Sequence, residues 1–467
     1  MSISSALSVA TSGLRATSVQ TDLISRNIAN ASTEGYTRKS AELMTRQGGV
    51  IVQGVTREVD GLLDRLDRSN ISASARADTM AAGLKSYTDM LGQPDDESSP
   101  AAGIGKLYTA LVTLSGTPNA GAAQLGVIEA ASVVAKQVSN LAATASELAR
   151  EVELNIRYDV ADLNDRLGRI GQINARLLQS GGSGVEGAEL QDELGRLLDE
   201  VSTYLDIQTT SFTDGAVNVY TTGGTELVQG RRTTTISYDP GRSALMAGEV
   251  EITPGKAGVR GFSTGTLAGL FELGQTAVPR IHAELDAFAG MLIERFTAAD
   301  PTLAPGEAGL FTDSAASTAA AGSGNLSSRL VVNPRLLASE GGEAGRLVSG
   351  LGSLDPLEPG STTLLQAMMR SLDSRPAEPS VLGVSLSITD FAGTMVASQQ
   401  QMRVAAESAS EAARISGATI SASRQNLQGV NVDDELQKLL LIEQSFAANA
   451  KVLTTVQSML DTLLSAT

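Results

Sequence analysis

The sequence predicts a mainly α-helical protein with a small antiparallel β insertion. Two observations lead to this fold class: apolar residues recur at helical spacing over most of the 467 residues, and alternation with a period of two is confined to residues 203–260. The predicted architecture is nested and elongated. Terminal coiled-coil-like helices enclose a long-helix bundle, and the bundle encloses the inserted β domain.

Each end of the chain predicts one long amphipathic helix, over residues 2–31 and 432–464. Their apolar residues follow the spacing of about 3.5 residues that a narrow seam between two helices requires. Thr17 and Thr21 complete the first stripe. We expect these stripes to form an assembly interface made of Ile3, Leu7, Leu14, Ile24, Ile28, Leu436, Leu439, Phe446, Leu453, Leu460 and Leu463.

Small and polar residues weaken both stripes, among them Ala10, Thr17 and Ala450. An isolated helix depends on packing partners for its stability in water. We therefore expect both ends to be largely disordered in the free monomer and to become ordered on assembly.

Between the two ends, helical periodicity predicts helices over 57–92, 124–179, 188–202, 266–298, 361–373 and 385–427. The run over 124–179 would form a rod of about 80 Å, which needs neighbouring helices to cover its apolar stripe. Within 203–260, four alternating segments near Leu205, Val217, Ile236 and Val250 predict strands. Asp214-Gly215 predicts a hairpin turn, because such turns need positive φ.

These elements predict three domains. The terminal helical domain comprises 1–34 and 432–467, and the helical bundle comprises 35–202 and 261–431. The bundle includes a loop and strand excursion at about 301–345, and the β domain occupies 203–260.

Composition excludes several classes of function. A net charge of −17 disfavours nucleic acid as a partner, because binding nucleic acid needs basic surface. No apolar run approaches the ~18 residues of a membrane span, so no membrane insertion is expected. The start shows no secretory signal pattern. The absence of Cys removes disulfides and thiolate ligands, and a single His282 removes metal sites built on a pair of histidines.

Catalytic motifs are not found. His282 lies on a predicted helix and is interpreted as a surface or packing residue. The stretch Gly103–Lys106 lacks the first Gly and the final Ser or Thr of a phosphate-binding loop. Residues 300–313 carry carboxylates without the alternating ligands of a calcium loop. No catalytic, cofactor-binding or metal-binding residue is assigned, and no cofactor is expected.

Two segments next to the terminal helices carry a recognisable motif. SGLRATSVQTDLISRNIANASTEGYTR (12–38) and QGVNVDDELQ (428–437) resemble the axial proteins of the bacterial flagellum, which comprise rod, hook, hook-associated proteins and flagellin. The matching positions are Ser12, Gly13, Leu14, Asn27, Ile28, Ala29, Asn30, Thr33, Gly35, Tyr36, Thr37, Arg38, Gly429, Val430, Asn431, Asp433 and Glu435. The ending at 36–38 and the entry at 429–435 look most like the hook-associated members at the hook–filament junction.

The resemblance implies a structural, non-enzymatic, extracellular flagellar subunit that joins hook to filament. The implied partners are copies of the chain in a ring, hook protein, the next hook-associated protein or filament, and the flagellar type III export machinery. An export chaperone on the C-terminal helix is also implied. A hook or rod subunit remains the alternative within this family, and a secreted enzyme with flagellar-like ends is the alternative of another class.

The motif at 27–38 also predicts a hinge between the inner helix and the bundle. Asn27 and Asn30 can bind the last helix carbonyls or the following turn, and Gly35 suits a positive φ. Tyr36 can bury its ring while its hydroxyl stays paired, and Arg38 can reach a carboxylate on an adjoining element. An ordinary helix stop is the plainer interpretation of the same residues.

Overall fold

A computed structural model describes residues 3–33, 35–46, 49–315, 324–352, 357–358, 360–375 and 380–465. It divides into two compact units. Unit 1 consists of Met1–Arg76, Arg157–Ala268 and Glu411–Thr467, and unit 2 consists of Ala77–Ile156 and Gly269–Ser410. This grouping by compactness differs from the three predicted domains, which remain a prediction.

The helices of the chain are α1 (Ile3–Ala29), α2 (Gly61–Leu91), α3 (Pro100–Gly116), α4 (Gly121–Ser180), α5 (Gly184–Tyr204), α6 (Thr266–Glu272), α7 (Val278–Ala299), α8 (Leu326–Arg329), α9 (Arg346–Ser349), α10 (Thr363–Asp373), α11 (Ile388–Gln428) and α12 (Val432–Ser465). A π-helical turn at Leu273–Ala277 joins α6 to α7. The fold class predicted from sequence, mainly α with a small antiparallel β insertion, is confirmed. No helix within the described ranges combines the length and hydropathy of a membrane span.

The terminal helices α1 and α12 pack against each other in unit 1. Asn27 near the end of α1 binds Glu435 near the start of α12, so the two helices run antiparallel. Closer to the other end of α1, a Cβ added at Gly13 would lie 2.8 Å from Asn449 Nδ2. The absence of a side chain at Gly13 therefore permits the close approach of the two helices.

A β-hairpin that the sequence analysis did not predict follows α1. Strands β1 (Lys39–Arg46) and β2 (Gly49–Arg57) pair antiparallel and pack on α1. Val50 N donates to Ser12 Oγ at 3.2 Å. A register shift after Glu42 interrupts the alternation of faces, which is why the period-two signal is weak in this segment.

The β insertion forms two antiparallel sheets in unit 1. The first has the order β3 (Ile207–Ser211), β4 (Val217–Thr221), β5 (Glu226–Gln229) and β6 (Arg232–Thr233). The second has the order β7 (Ile236–Asp239), β8 (Ala244–Ala247) and β9 (Val250–Glu251). The predicted turn at Asp214-Gly215 joins β3 to β4, with Gly215 at φ 82°. Strands β5, β6 and β8 were not predicted from the sequence.

Two asparagines of α4 attach this insertion to the helix. Asn174 donates to Val217 O at 2.8 Å and to Gly230 O at 2.7 Å, and it accepts from Val217 N at 3.0 Å. Asn164 donates to Ile236 O and accepts from Ile236 N, both at 2.8 Å. These amides replace the hydrogen bonds of a neighbouring strand, so that the sheets are held by directional contacts as well as by packing.

Unit 2 is a helical body with an aliphatic core to which a few aromatic rings contribute. The rings of Phe288 and Phe391 stack with centroids 6.0 Å apart, and those of Phe296 and Phe311 meet edge to face at 5.3 Å. Strand β10 (Phe311–Asp313) pairs with β11 (Leu330–Val332), which falls in the segment predicted as strand-like. Helix α3 was not predicted; Ser99 caps it by accepting from Ala101 N, and Pro100 occupies its first turn.

Candidate functional site

Asn27 is the centre of a buried polar junction at the end of α1. Its Nδ2 donates to Lys39 O at 2.9 Å and to Glu435 Oε2 at 2.8 Å. Its Oδ1 accepts from Tyr36 Oη at 2.9 Å and from Lys39 N at 3.1 Å. Two donors and two acceptors are the full capacity of an amide side chain, so this buried group is completely satisfied. We call Asn27, Tyr36, Thr37, Lys39, Arg57, Asp192 and Glu435 the polar joint.

Tyr36 closes one side of the polar joint. Its hydroxyl donates to Asn27, and the ammonium of Lys39 lies 3.9 Å from the centroid of its ring. Burial, with the nearby negative charge of Asp192 as the next cause, raises the pKa of Tyr36 to about 12. The hydroxyl therefore keeps its proton, and thus its role as donor, throughout the physiological range.

Asp192 of α5 brings the hairpin to the body of unit 1. Its carboxylate accepts from Lys39 Nζ at 2.6 Å, from Thr37 Oγ1 at 2.6 Å and from Arg57 Nε at 2.7 Å. Both Lys39 and Asp192 are buried. A buried charge is tolerated when it is paired and its remaining lone pairs are hydrogen-bonded, and Asp192 meets both conditions.

The start of α12 forms the other wall of the polar joint. Asn431 caps the helix by accepting from Asp433 N at 3.0 Å and Asp434 N at 3.4 Å. Glu435 is buried within the first turn, where the helix dipole favours a negative charge. Its second oxygen accepts from Lys438 Nζ at 2.7 Å. The capping residue thus places the carboxylate that Asn27 binds.

The residues between α1 and β1, for which a hinge was predicted from sequence and which we call the hinge segment, make several local contacts. Asn30 Nδ2 donates to Arg26 O at 2.9 Å, which satisfies one of the last carbonyls of α1. Gly35 has φ 73°, and Arg38 pairs with Glu58. The backbone N–H of Arg38 donates to Gln428 O at 2.9 Å, so the end of α11 is bound directly to the hinge.

A second polar group, the arginine cluster, lies where α2, α5 and α11 meet in unit 1. Arg424 contacts Asp64 at 3.0 Å, Asp67 at 2.6 Å and Asp199 at 2.9 Å, and Arg68 contacts Asp199 at 2.8 Å. Burial tends to lower the pKa of Arg424, but the carboxylates outweigh it and raise that pKa above its usual range. Burial raises the pKa of Asp67, against the attraction of Arg424.

An open cleft of about 850 Å³ runs between the hinge and the arginine cluster. Its walls include Gly35, Tyr36, Arg196, Arg424 and Gln428. Among the residues that the structure describes, no group of three His, Asp or Glu side chains is placed to hold a metal ion. Asp67 and Asp199 in its walls are both bound to Arg424.

The predicted assembly residues are unevenly covered in the terminal seam between α1 and α12. Ile24 is buried, and Leu7, Leu14, Ile28, Leu439, Leu453 and Leu460 are half-buried. Leu436 and Phe446 remain 46% and 49% exposed. The side chains of Ile3 and Leu463 lie outside the described part of the structure.

The other residues weighed as catalytic or ligand-binding candidates lie within helices or bind neighbouring parts of the fold. His282 lies half-buried on α7, and Gly103–Lys106 lies inside α3. Asp300 accepts from Thr302 N at 2.9 Å and from Leu351 N at 2.8 Å. Asp313 forms an ion pair with Arg329 at 2.9 Å.

Asn27 and Glu435 were predicted from the sequence as motif residues but not as a pair. Lys39, Arg57, Asp192 and the arginine cluster were not predicted. These groups come from α2, α5, α11 and the hairpin, far apart in the chain, and no local spacing connects them. One feature of the sequence points to these contacts: two basic residues, Lys39 and Arg57, stand at the two ends of the hairpin. They pair directly with each other across its strands.

Comparison with known proteins matches three family models. The model for the flagellar hook-associated protein FlgK helical domain matches residues 84–301. The model for the flagella basal body rod protein matches 7–37, and that for the flagellar basal body rod FlgEFG protein C-terminal region matches 421–466. The two terminal matches include Asn27, Tyr36, Thr37 and Glu435 of the polar joint.

Three bacterial proteins that are all named flagellar hook-associated protein 1 are similar to part of this chain. Flagellar hook-associated protein 1 of Salmonella typhimurium is 26% identical over 290 residues, which cover 57% of this chain and 51% of that protein. The protein of Escherichia coli K12 is 25% identical, covering 57% and 52%. That of Bacillus subtilis is 26% identical, covering 39% of each. The alignments span about half the length of the first relatives.

A solved structure, the flagellar hook junction protein FlgK from Burkholderia pseudomallei, is similar at 19% identity and a TM-score of 0.44, covering 54% of this chain and 46% of that one. The family models and the named relatives together confirm the resemblance stated from sequence: the chain is similar to the flagellar axial proteins, and within that group to flagellar hook-associated protein 1.

Proposed function

We propose that the chain is a non-enzymatic structural subunit of the bacterial flagellum that joins hook to filament through its terminal helices. The observation that supports this most is the apolar surface of α12 that α1 leaves uncovered. Leu441, Val452 and Met459 are 66%, 46% and 53% exposed. Such side chains gain stability when a further partner removes them from water.

The three side chains lie on one face of α12. Val452 follows Leu441 by 11 residues and precedes Met459 by 7, which is close to three and two helical turns. A stripe at this spacing fits a neighbouring helix. Because α1 and α12 already pack on each other, burial of this stripe by a neighbouring subunit would add to their existing contact.

The partners proposed for this subunit are copies of itself in a ring, with hook protein on one side. On the other side it would accept the next hook-associated protein or the filament. Export through the flagellar type III machinery places it outside the cell, and a chaperone on Leu436–Leu463 would mask the C-terminal helix before assembly. The predicted hinge at 27–38 then joins the assembling helices to the rest of unit 1.

The test is deletion of the gene followed by electron microscopy and an assay of flagellin in the medium. Hooks without filaments, with flagellin lost to the medium, are expected. Absent hooks would instead indicate a hook or rod subunit, and normal flagella would contradict a flagellar role.

Complementation of the deletion tests the uncovered stripe. We expect Leu441→Asp to block incorporation, because it places a charge in the interface that assembly would bury. Leu125→Asp on α4 is the matched control, since Leu125 is 58% exposed outside the terminal helices. Incorporation of the Leu441→Asp protein at the level of the control would refute the proposed interface.

A further inference from the structure

The register between α1 and α12 is marked by two contacts. Asn27 binds Glu435, and Gly13 faces Asn449. Gly13 precedes Asn27 by 14 residues, and Asn449 follows Glu435 by 14 residues. The spacing is two heptads on both helices, as expected for an antiparallel pair in constant register.

The rest of the terminal seam specifies this register weakly. Small side chains recur along it, including Ala10, Gly13, Ala16 and Ala450. Apolar contacts are non-directional, so layers of small residues lose little when one helix slides past the other. The buried pair of Asn27 and Glu435 is different, because its hydrogen bond is directional and its carboxylate cannot be buried alone.

We propose that Asn27 is the positioning residue that sets the register of the terminal helices and fixes the pair to the polar joint. The proposal rests on the proposed function, since it concerns how the assembling helices are presented. Sliding α12 by one turn along α1 would place Glu435 beside Leu23 or Ile24, which are buried and apolar. Glu435 would then keep Lys438 alone as its partner.

The amide of Asn27 is chemically required by this arrangement. Its two donors serve Lys39 O and Glu435, and its carbonyl oxygen serves Tyr36 and Lys39 N. Leucine would satisfy none of these groups. Aspartate would keep the two acceptor contacts but would lose both donors and repel Glu435.

Engineered cysteines can report the register, because the chain contains no Cys of its own. A Cβ added at Gly13 would lie 3.0 Å from Asn449 Cγ, which is one bond of about 1.5 Å from Asn449 Cβ. The two Cβ atoms of Gly13→Cys and Asn449→Cys are therefore at most about 4.5 Å apart, which a disulfide allows. Gly13→Cys with Phe446→Cys reports the slide that brings Glu435 beside Ile24, because a shift of three residues along α1 moves Phe446 to the place of Asn449. The ratio of the two disulfide yields in the purified full-length protein measures the register.

We expect Asn27→Asp to reduce this ratio at about pH 8 by at least about tenfold, because it breaks a buried pair. Asn27→Asp combined with Glu435→Gln should restore it, since the amide introduced on α12 would donate to the carboxylate introduced on α1. Asp22→Asn is the matched control on α1, because Asp22 forms an exposed pair with Arg26 at 2.9 Å. The control should leave the ratio unchanged.

A pH profile separates positioning from a general loss of packing. In Asn27→Asp the two facing carboxylates repel each other while both are ionised, so the ratio should recover when acid protonates one of them and a hydrogen bond can form between them. The charged and titratable groups around them are Lys438 on α12, Tyr36 and Lys39 on the hinge side, Arg57 on β2, Asp192 on α5 and the Arg26–Glu189 pair. The double variant should show no such recovery.

Failure of rescue by the double variant, or an Asn27→Asp ratio equal to that of the control, would overturn the assignment of Asn27. Both readouts use the isolated protein. Failure of the proposed flagellar function would appear instead in the deletion strain complemented with the unaltered gene, so the two are distinguishable.

Discussion

Removal of the Asp192 carboxylate is the sharpest test of the polar joint. Asp192→Ala leaves the buried ammonium of Lys39 without an anion and removes an acceptor from Thr37 and Arg57. Breaking a buried ion pair by removing one partner costs about 3–5 kcal/mol. The ring of Tyr36, 3.9 Å from Lys39 Nζ, offsets about 0.5–2 kcal/mol of this cost. We therefore expect a loss of about 3 kcal/mol.

The assay must be local, because a chain of two compact units need not unfold in one step. Amide hydrogen exchange of the hairpin, Lys39–Arg57, measures the opening free energy where the change occurs. Glu189→Ala is the matched control on the same helix: Glu189 pairs with Arg26 at 3.0 Å but is half exposed, so its loss should cost less than about 1 kcal/mol. An equal effect of the two variants would refute the argument from burial.

Three further changes test neighbouring features. Gly35→Ala should destabilise the hinge segment by about 1–2 kcal/mol, because Gly35 has φ 73° and the added Cβ would lie 2.6 Å from Arg196 Cγ; amide hydrogen exchange of β1 checks this, and unchanged exchange would contradict it. Burial raises the pKa of Asp67, so ionised Asp67 weakens the folded state near neutral pH, and this cost disappears as pH falls through the raised pKa. Asp67→Asn should therefore be at least as stable as the unaltered protein at about pH 7 and lose this advantage in acid, and a clear loss at about pH 7 would show that the attraction of Arg424 dominates. Asn174→Leu should cost about 3 kcal/mol and raise hydrogen exchange in β4, because it leaves Val217 N, Val217 O and Gly230 O without their partner; exchange that is unchanged would show that packing alone holds the insertion.

The sequence predicted the long helices because each combines a persistent apolar period with a clear stop. The helix predicted over 124–179 is α4 at Gly121–Ser180, and that predicted over 385–427 is α11 at Ile388–Gln428. The hairpin at 39–57 was missed because its bulge breaks the alternation on which strand prediction depends. Helix α3 was missed because its capping residue Ser99 stands in a segment rich in turn-forming residues.

Some residues of the candidate site, such as Asn27 and Glu435, were named from the sequence, but Lys39, Arg57, Asp192 and the arrangement of the site were not. The hinge conformations of Asn30, Gly35 and Tyr36 are local, and each follows from the chemistry of one side chain. The contact between Asn27 and Glu435 joins residues 408 positions apart. Such a contact depends on how α1, α12 and the hairpin pack, which single-sequence periodicity does not specify.

The two kinds of interaction at the chain ends serve different purposes. Apolar stripes supply most of the free energy for association, but they are tolerant of sliding and of changes in angle. Hydrogen bonds contribute less net free energy, yet they are directional and costly to leave unmade when buried. A subunit that must transmit a fixed geometry between neighbours needs both. The side chain of Asn27 contacts the hinge through Lys39 and Tyr36 and α12 through Glu435, so it lies where that geometry is decided. Loss of this amide should therefore change the presentation of the terminal helices before it changes their tendency to associate.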